Sequence, residues 1–262
     1  MLRYRIASAA VLIPIVLGSV YFGGLLFFAA VTLALLLAGY EFFEMARHAG
    51  HRPLIGLGLA LIALFMFDAY AHLNWEREII AGALVGSLVL AIFWREEDWI
   101  ASWALTLAGA LYVGSLGAYA IRVRDLPNGL VWTAIALLTV WATDIGAYFV
   151  GTRIGRHGFF TGISPKKTWE GAVGGWIAAT LTMLVGGMLA GLEPLQALLF
   201  GFGIGIVGTL GDLAESLLKR QTGVKDSGTI VPGHGGMLDR VDSLLFAAVF
   251  AYYYLIWILR IG

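Results

Sequence analysis

PLQALLFGFGIGIVGTLGDLAESLLKRQTGVKDSGTIVPGHGGMLDRVD, residues 194–242, decides how the chain is read. Residues 194–211 carry no charge and are long enough to cross hydrocarbon as a helix. Residues 212–242 then hold nine charged side chains, in a protein with only 17 Lys and Arg and 17 Asp and Glu in 262 residues. Paired carboxylates (Asp212 with Glu215, Asp239 with Asp242), clustered cations (Lys219, Arg220, Lys225, Arg240) and Gly233, Gly235 and Gly236 crowd together. An apolar span that empties into so polar a segment places divalent-metal and phosphate chemistry where a bilayer meets water.

The rest of the chain agrees with a membrane setting. Apolar residues make up 60% and charged residues 13%, far from soluble averages. Long apolar runs recur throughout, which predicts an all-α polytopic membrane protein; barrel strands would give short alternating segments. Nine transmembrane helices are expected, at about 6–22, 25–45, 54–74, 79–94, 99–121, 130–150, 170–191, 194–215 and 243–260. The first run follows Arg3 and Arg5 but continues into a second span without a small-residue cleavage site, so it is read as a retained helix. The absence of Cys excludes disulfides, thiolate metal sites and a Cys nucleophile. The formal net charge is zero, and no nucleic-acid partner is expected.

Residues 1–262 read as one integral-membrane domain. Residues 1–129 would form a scaffold and the place for any homodimer contact, and 130–262 a catalytic half carrying both long polar connections, 151–169 and 216–242. With nine spans, 13 of the 17 Lys and Arg fall on the N-terminal side, including Arg153, Arg156, Lys166, Lys167 and the cations of 216–242. The positive-inside rule therefore predicts N-terminus and both loops in the cytoplasm and C-terminus outside, the expected membrane being the bacterial inner membrane. The pairs Gly82/Gly86, Gly171/Gly175 and Gly201/Gly205 permit close helix contact, although such a pattern is common in a chain with 35 Gly.

Ionisable groups inside spans are costly and point to function. Asp144 lies near the end of the sixth span and Asp212 near the end of the eighth, while Asp239 and Asp242 begin the ninth. Under the expected topology these four acids arrive at one depth, and repulsion among them calls for a cation. Oxygen donors without Cys suit Mg²⁺, with a second cation left open; Asp212, Asp239 and Asp242 are the expected ligands. Asp212, Glu215 and Ser216 share one helical face, which Lys219 continues. Glu215 can be read as a site residue or as a solvated interfacial one. The turn Pro232-Gly233-His234-Gly235-Gly236 can offer successive N–H groups to phosphate oxygens, and His234 either meets a phosphate or makes a structural hydrogen bond. Lys166 and Lys167, just before the seventh helix, suit an anionic headgroup or a nucleotide phosphate.

The run from Ser216 through Lys219-Arg220 and Lys225-Asp226 to Pro232-Gly-His234-Gly-Gly-Met-Leu-Asp239-Arg240-Val-Asp242 resembles the signature of the phosphatidate cytidylyltransferases (CDP-diacylglycerol synthases). Asp144-Ile-Gly-Ala-Tyr-Phe and Ile163-Ser-Pro-Lys166-Lys167-Thr-Trp-Glu-Gly171 resemble a second block of that family, and Arg5-Ile with Ile13-Pro14 its usual opening. Val231 departs conservatively from the expected Leu or Ile. The resemblance implies transfer of CMP from CTP to phosphatidic acid with Mg²⁺, on the membrane lipid bilayer. Asp212, Lys219, Asp239 and Asp242 would then be catalytic. Asp144, Lys166, Lys167, Ser216, Arg220, Lys225, Asp226, His234, Gly235, Gly236 and Arg240 would bind substrate. Two other classes fit in part: a CTP-dependent polyprenol or lipid kinase, and an ion-coupled transporter using Asp144 and Asp212. The clustering of the acids near one face, away from the midplane, disfavours the transporter.

Overall fold

The computed structural model describes residues 2–93, 99–230 and 235–261. Among them the chain forms helices at each of the expected stretches: α1 (Leu2–Phe22), α2 (Gly24–His48), α3 (Ile55–Ala71) and α4 (Glu76–Phe93). They continue with α5 (Trp99–Asp125), α6 (Gly129–Ile154), α7 (Trp169–Leu189), α8 (Pro194–Gln221) and α9 (Leu238–Ile258). A π-helical stretch, Ala110–Ser115, interrupts α5, and another, Tyr254–Ile258, ends α9.

Six of these helices, α2 and α5 to α9, are long and apolar enough to cross a membrane; nine were expected. Two of the others fall short for identifiable reasons. The 17 residues of α3 rise about 25 Å, less than the roughly 30 Å of hydrocarbon. The helix α4 opens with Glu76, Arg77 and Glu78. Even so, α4 leaves Val85, Leu88, Val89, Ile92 and Phe93 exposed, a surface suited to lipid rather than water.

The chain divides into two compact units. The first comprises Met1–Arg122 with Leu218–Val241, the second Val123–Leu217 with Asp242–Gly262. Leu218–Val241, most of the second long polar connection, thus groups with the N-terminal helices.

In the first unit α2 and α3 bury Phe42, Phe43, Ile62, Phe65 and Met66. Gly114, in the π-helical stretch of α5, lets that backbone approach α3; a Cβ there would lie 2.9 Å from Ile62 Cα. The chain leading into α3 is fastened to α5, since the Arg52 and Leu54 amides donate to Ser102 Oγ and Thr106 Oγ1, both at 2.8 Å. Arg122, counted from sequence as a loop cation, donates to Glu76 at 2.8 Å and to buried Asp68 at 3.4 Å and lies over the Tyr119 ring. That arrangement is structural: it neutralises a carboxylate which the apolar interior would otherwise not tolerate.

The second unit is packed through Trp132, Val140, Met183, Phe200, Ile204 and Leu255. Phe200 stacks on Tyr254 with ring centroids 4.5 Å apart, and the Tyr254 hydroxyl donates to the Gln196 carbonyl at 2.8 Å. Two of the three glycine pairs noted in the sequence are contact points. A Cβ at Gly175 would lie 2.8 Å from the Thr143 carbonyl oxygen on α6, and one at Gly201 2.8 Å from that of Ala179 on α7. Gly82 and Gly86 face open space. A small-residue spacing thus marks a helix seam only where a second backbone is present to use it.

Candidate active site

Each unit carries a lysine set against an aspartate by a loop whose backbone is locked. In the second unit the loop between α6 and α7 folds back on itself. The Phe159 amide donates to the Lys167 carbonyl and the Trp169 amide to the His157 carbonyl, both at 2.8 Å. Glu170 holds the far side: its Oε2 accepts from the Arg156 amide at 3.0 Å and the His157 amide at 3.2 Å, and its Oε1 meets His157 Nδ1 at 2.5 Å. Thr168 caps α7 by accepting from the Gly171 amide at 3.1 Å. Phe159 is buried with Ala172 and Leu213, which anchors the loop to α7 and α8. Lys167 is thereby delivered to Asp212, with Nζ 2.6 Å from Oδ2. The other oxygen of Asp212 accepts from Ser216 Oγ at 3.3 Å, one turn further along α8.

Asp242 is buried at the start of α9, and its Oδ1 accepts from the Ser243 amide at 2.6 Å. Its backbone passes close to α8, for a Cβ at Gly211 would lie 2.7 Å from the Asp242 carbonyl oxygen. The second unit therefore brings Asp212 and Asp242 to neighbouring stretches of backbone. Asp144 and Lys166 are exposed on this unit. Glu215 is completely buried, which removes the reading of it as a solvated interfacial residue.

In the first unit Lys219 Nζ lies 2.5 Å from Asp239 Oδ1, and the two side chains are only 11% and 9% exposed. The other carboxylate oxygen, Oδ2, accepts from the Gly236 amide at 2.8 Å and the Ser227 amide at 3.1 Å, and lies 3.0 Å from the Ser227 hydroxyl oxygen. Gly235 adopts φ +87, and a Cβ there would sit 2.8 Å from the same oxygen, so the turn needs glycine on two counts. The sequence assigned the Gly236 N–H to a phosphate; in the structure it serves Asp239. Arg220, Lys225, Asp226 and Arg240 are exposed on the same unit. His234, with Val231, Pro232 and Gly233, lies outside the described residues.

Asp212 and Asp239 each lie beside a lysine ammonium, Lys167 and Lys219. Carboxylate oxygens suit a hard divalent ion, yet among the described residues no three or more His, Cys, Asp or Glu are gathered to hold one. Glu41 was missed by the sequence analysis. It lies within apolar α2, is 3% exposed, and accepts from Ser227 Oγ at 3.0 Å and the Leu238 amide at 2.8 Å. The same rule that singled out Asp144 and Asp212, an ionisable group inside a span, would have found it.

The chain is thus a helical protein of membrane type in which each unit sets a lysine against an aspartate, the first unit's pair beside a glycine turn. The chain belongs to the cytidylyltransferase family, whose model matches residues 3–258. It is 34% identical to a phosphatidate cytidylyltransferase of Synechocystis over 98% of this chain and 97% of that protein. One from Pseudomonas aeruginosa is 36% identical over 98% and 97%. One from Bacillus subtilis is 44% identical over 58% of this chain and 57% of its own length.

Proposed function

We propose that this chain is a phosphatidate cytidylyltransferase, transferring CMP from CTP to phosphatidic acid to give CDP-diacylglycerol and pyrophosphate. The observation that carries the reading is the Lys219–Asp239 pair, beside a glycine turn at the polar end of an apolar helix, in a chain of this family. A phosphatidate oxygen, already ionised at neutral pH, attacks the α-phosphorus of CTP. The new P–O bond forms as the bond to the leaving oxygen breaks, and that electron pair departs with pyrophosphate. No strong general base is needed, so His234 is assigned to phosphate binding.

In this reading Lys219 and Lys167 would each exchange part of their bonding, from Asp239 and from Asp212, to phosphate oxygens of the substrates, so that charge is matched before and during transfer. Arg220, Lys225 and Arg240 would meet the outer phosphates, and Lys166 the lipid phosphate. Asp144, Ser216, Asp226 and Gly235 complete the substrate-binding set. Mg²⁺ on Asp212, Asp239 and Asp242 belongs to the proposal on the chemistry of those donors; when bound it would neutralise developing charge on the pyrophosphate. A homodimer through residues 1–129 belongs to it on sequence grounds.

With CTP labelled at the α-phosphate, purified protein and phosphatidate vesicles, label is expected in the lipid; with γ-label it is expected in pyrophosphate. Label in lipid from the γ position would instead identify a lipid kinase. The Lys and Arg asymmetry supports a bacterial inner-membrane location with the site on the cytoplasmic face. A reporter fused after Gly262 should then read as extracytoplasmic, and a cytoplasmic reading would overturn that orientation.

A further inference from the structure

We propose that Glu41 is a positioning residue for the transfer, fixing through Ser227 and the Leu238 amide the loop that presents Asp239 to Lys219. This rests on the assignment of Asp239 and Lys219 to the reaction.

A carboxylate buried in an apolar helix is costly unless its hydrogen bonds repay the lost hydration. The bonds Glu41 makes all lead to one place. Its Oε2 accepts from Ser227 Oγ at 3.0 Å and from the Leu238 amide at 2.8 Å, residues 186 and 197 positions further along the chain. These two partners bracket the glycine turn and immediately precede or contact Asp239. Ser227 Oγ also lies 3.0 Å from Asp239 Oδ2 and accepts from the Asp239 amide at 3.3 Å.

A hydroxyl has one proton and cannot donate fully to two carboxylates. Asp239 Oδ2 already takes two backbone amides, and Oδ1 takes the Lys219 ammonium. Among the described residues Oε2 of Glu41 has only Leu238 N–H besides Ser227, and its Oε1 accepts no hydrogen bond. The Ser227 proton therefore goes to Glu41, which leaves a lone pair of Ser227 for the Asp239 amide.

The site is closed by backbone as well. A Cβ at Gly228 would lie 2.4 Å from Glu41 Oε1, and one at Gly236 2.4 Å from Oε2. Two loop glycines are thus pressed against this one carboxylate. Because Ser227 Oγ and the Leu238 amide donate to one and the same oxygen, Oε2, a glutamine could keep both bonds; Glu41→Leu keeps the approximate size of the side chain and removes both acceptors. The serine proton then turns to Asp239.

The test is a double-mutant cycle on detergent-purified full-length protein with CTP and phosphatidate. Glu41→Leu and Ser227→Ala are each expected to lower kcat about 10- to 100-fold with both KM values within about threefold, and the double variant to be no worse than the poorer single within about threefold. Gly228→Ala, whose methyl presses on Glu41, is expected to lower kcat in the same way, and it carries the test if Glu41→Leu does not fold. Amide exchange at Ser227 and Gly236, the two amides that donate to Asp239, is expected to quicken in Glu41→Leu. Turnover of Glu41→Leu within twofold of wild type, losses that multiply in the double variant, or unchanged exchange would each overturn the inference. If the wild type transfers no α-label, the functional reading fails on its own, and the exchange measurement alone decides whether Glu41 positions the loop.

Discussion

Asp239→Asn lowers turnover per folded molecule by about a thousandfold or more, an effect of the size seen when a charge-stabilising group is removed from a transfer site. The reason lies in what surrounds it. Lys219 loses its anion, and Oδ2 is met by the amides of Ser227 and Gly236. An asparagine oxygen can satisfy one side only. Turned toward the amides, it points its NH₂ at an ammonium; turned toward Lys219, it points its NH₂ at two N–H donors. Either way a nearly buried ammonium is left without its counter-charge, a loss on the order of 3–5 kcal/mol for a buried pair. The variant should therefore melt earlier as well, and the comparison requires pyrophosphate release normalised to protein that elutes as wild type from gel filtration. Near-normal activity would end the assignment of Asp239 to the reaction, as ligand or otherwise.

Lys219→Ala comes next in size, with a loss of about a hundredfold or more that added Mg²⁺ does not restore. Alanine removes the charge offered to the phosphates and takes the ammonium away from Asp239, itself 9% exposed. A divalent ion in excess cannot take the position of Nζ, because that place is set by the last turn of α8 and the length of the lysine stem. Activity measured across a Mg²⁺ series would show a lowered plateau. Full recovery at high Mg²⁺ would mean that Lys219 acts only by organising other groups.

The extent to which the site could be read in advance follows from the range of each interaction. Asp212 and Ser216 were placed on one face by helical spacing alone, and the structure joins them at 3.3 Å. Lys167 and Asp212 were both named from sequence, but their meeting was not, because it depends on the folding back of residues 155–168 and on buried Phe159. Lys219 and Asp239 were assigned to different partners, phosphate and metal. In a low-dielectric setting each is instead the other's nearest counterion. Glu41 escaped because attention went to the charged loops, although a carboxylate amid the apolar run of α2 was itself a signal.

By itself the sequence determined where the helices lie, that they belong in a membrane, and which side chains are available for phosphate chemistry. All of that follows from local composition: hydropathy summed over one helix, and charges collected at its ends. Tertiary structure decided which of those charges face each other, and that residues 218–241 group with the N-terminal helices. A buried charge takes its partner from whatever packing brings within hydrogen-bond reach. For residues 212–242 the decisive partner is Glu41, 186 positions from Ser227, at a distance no local pattern encodes.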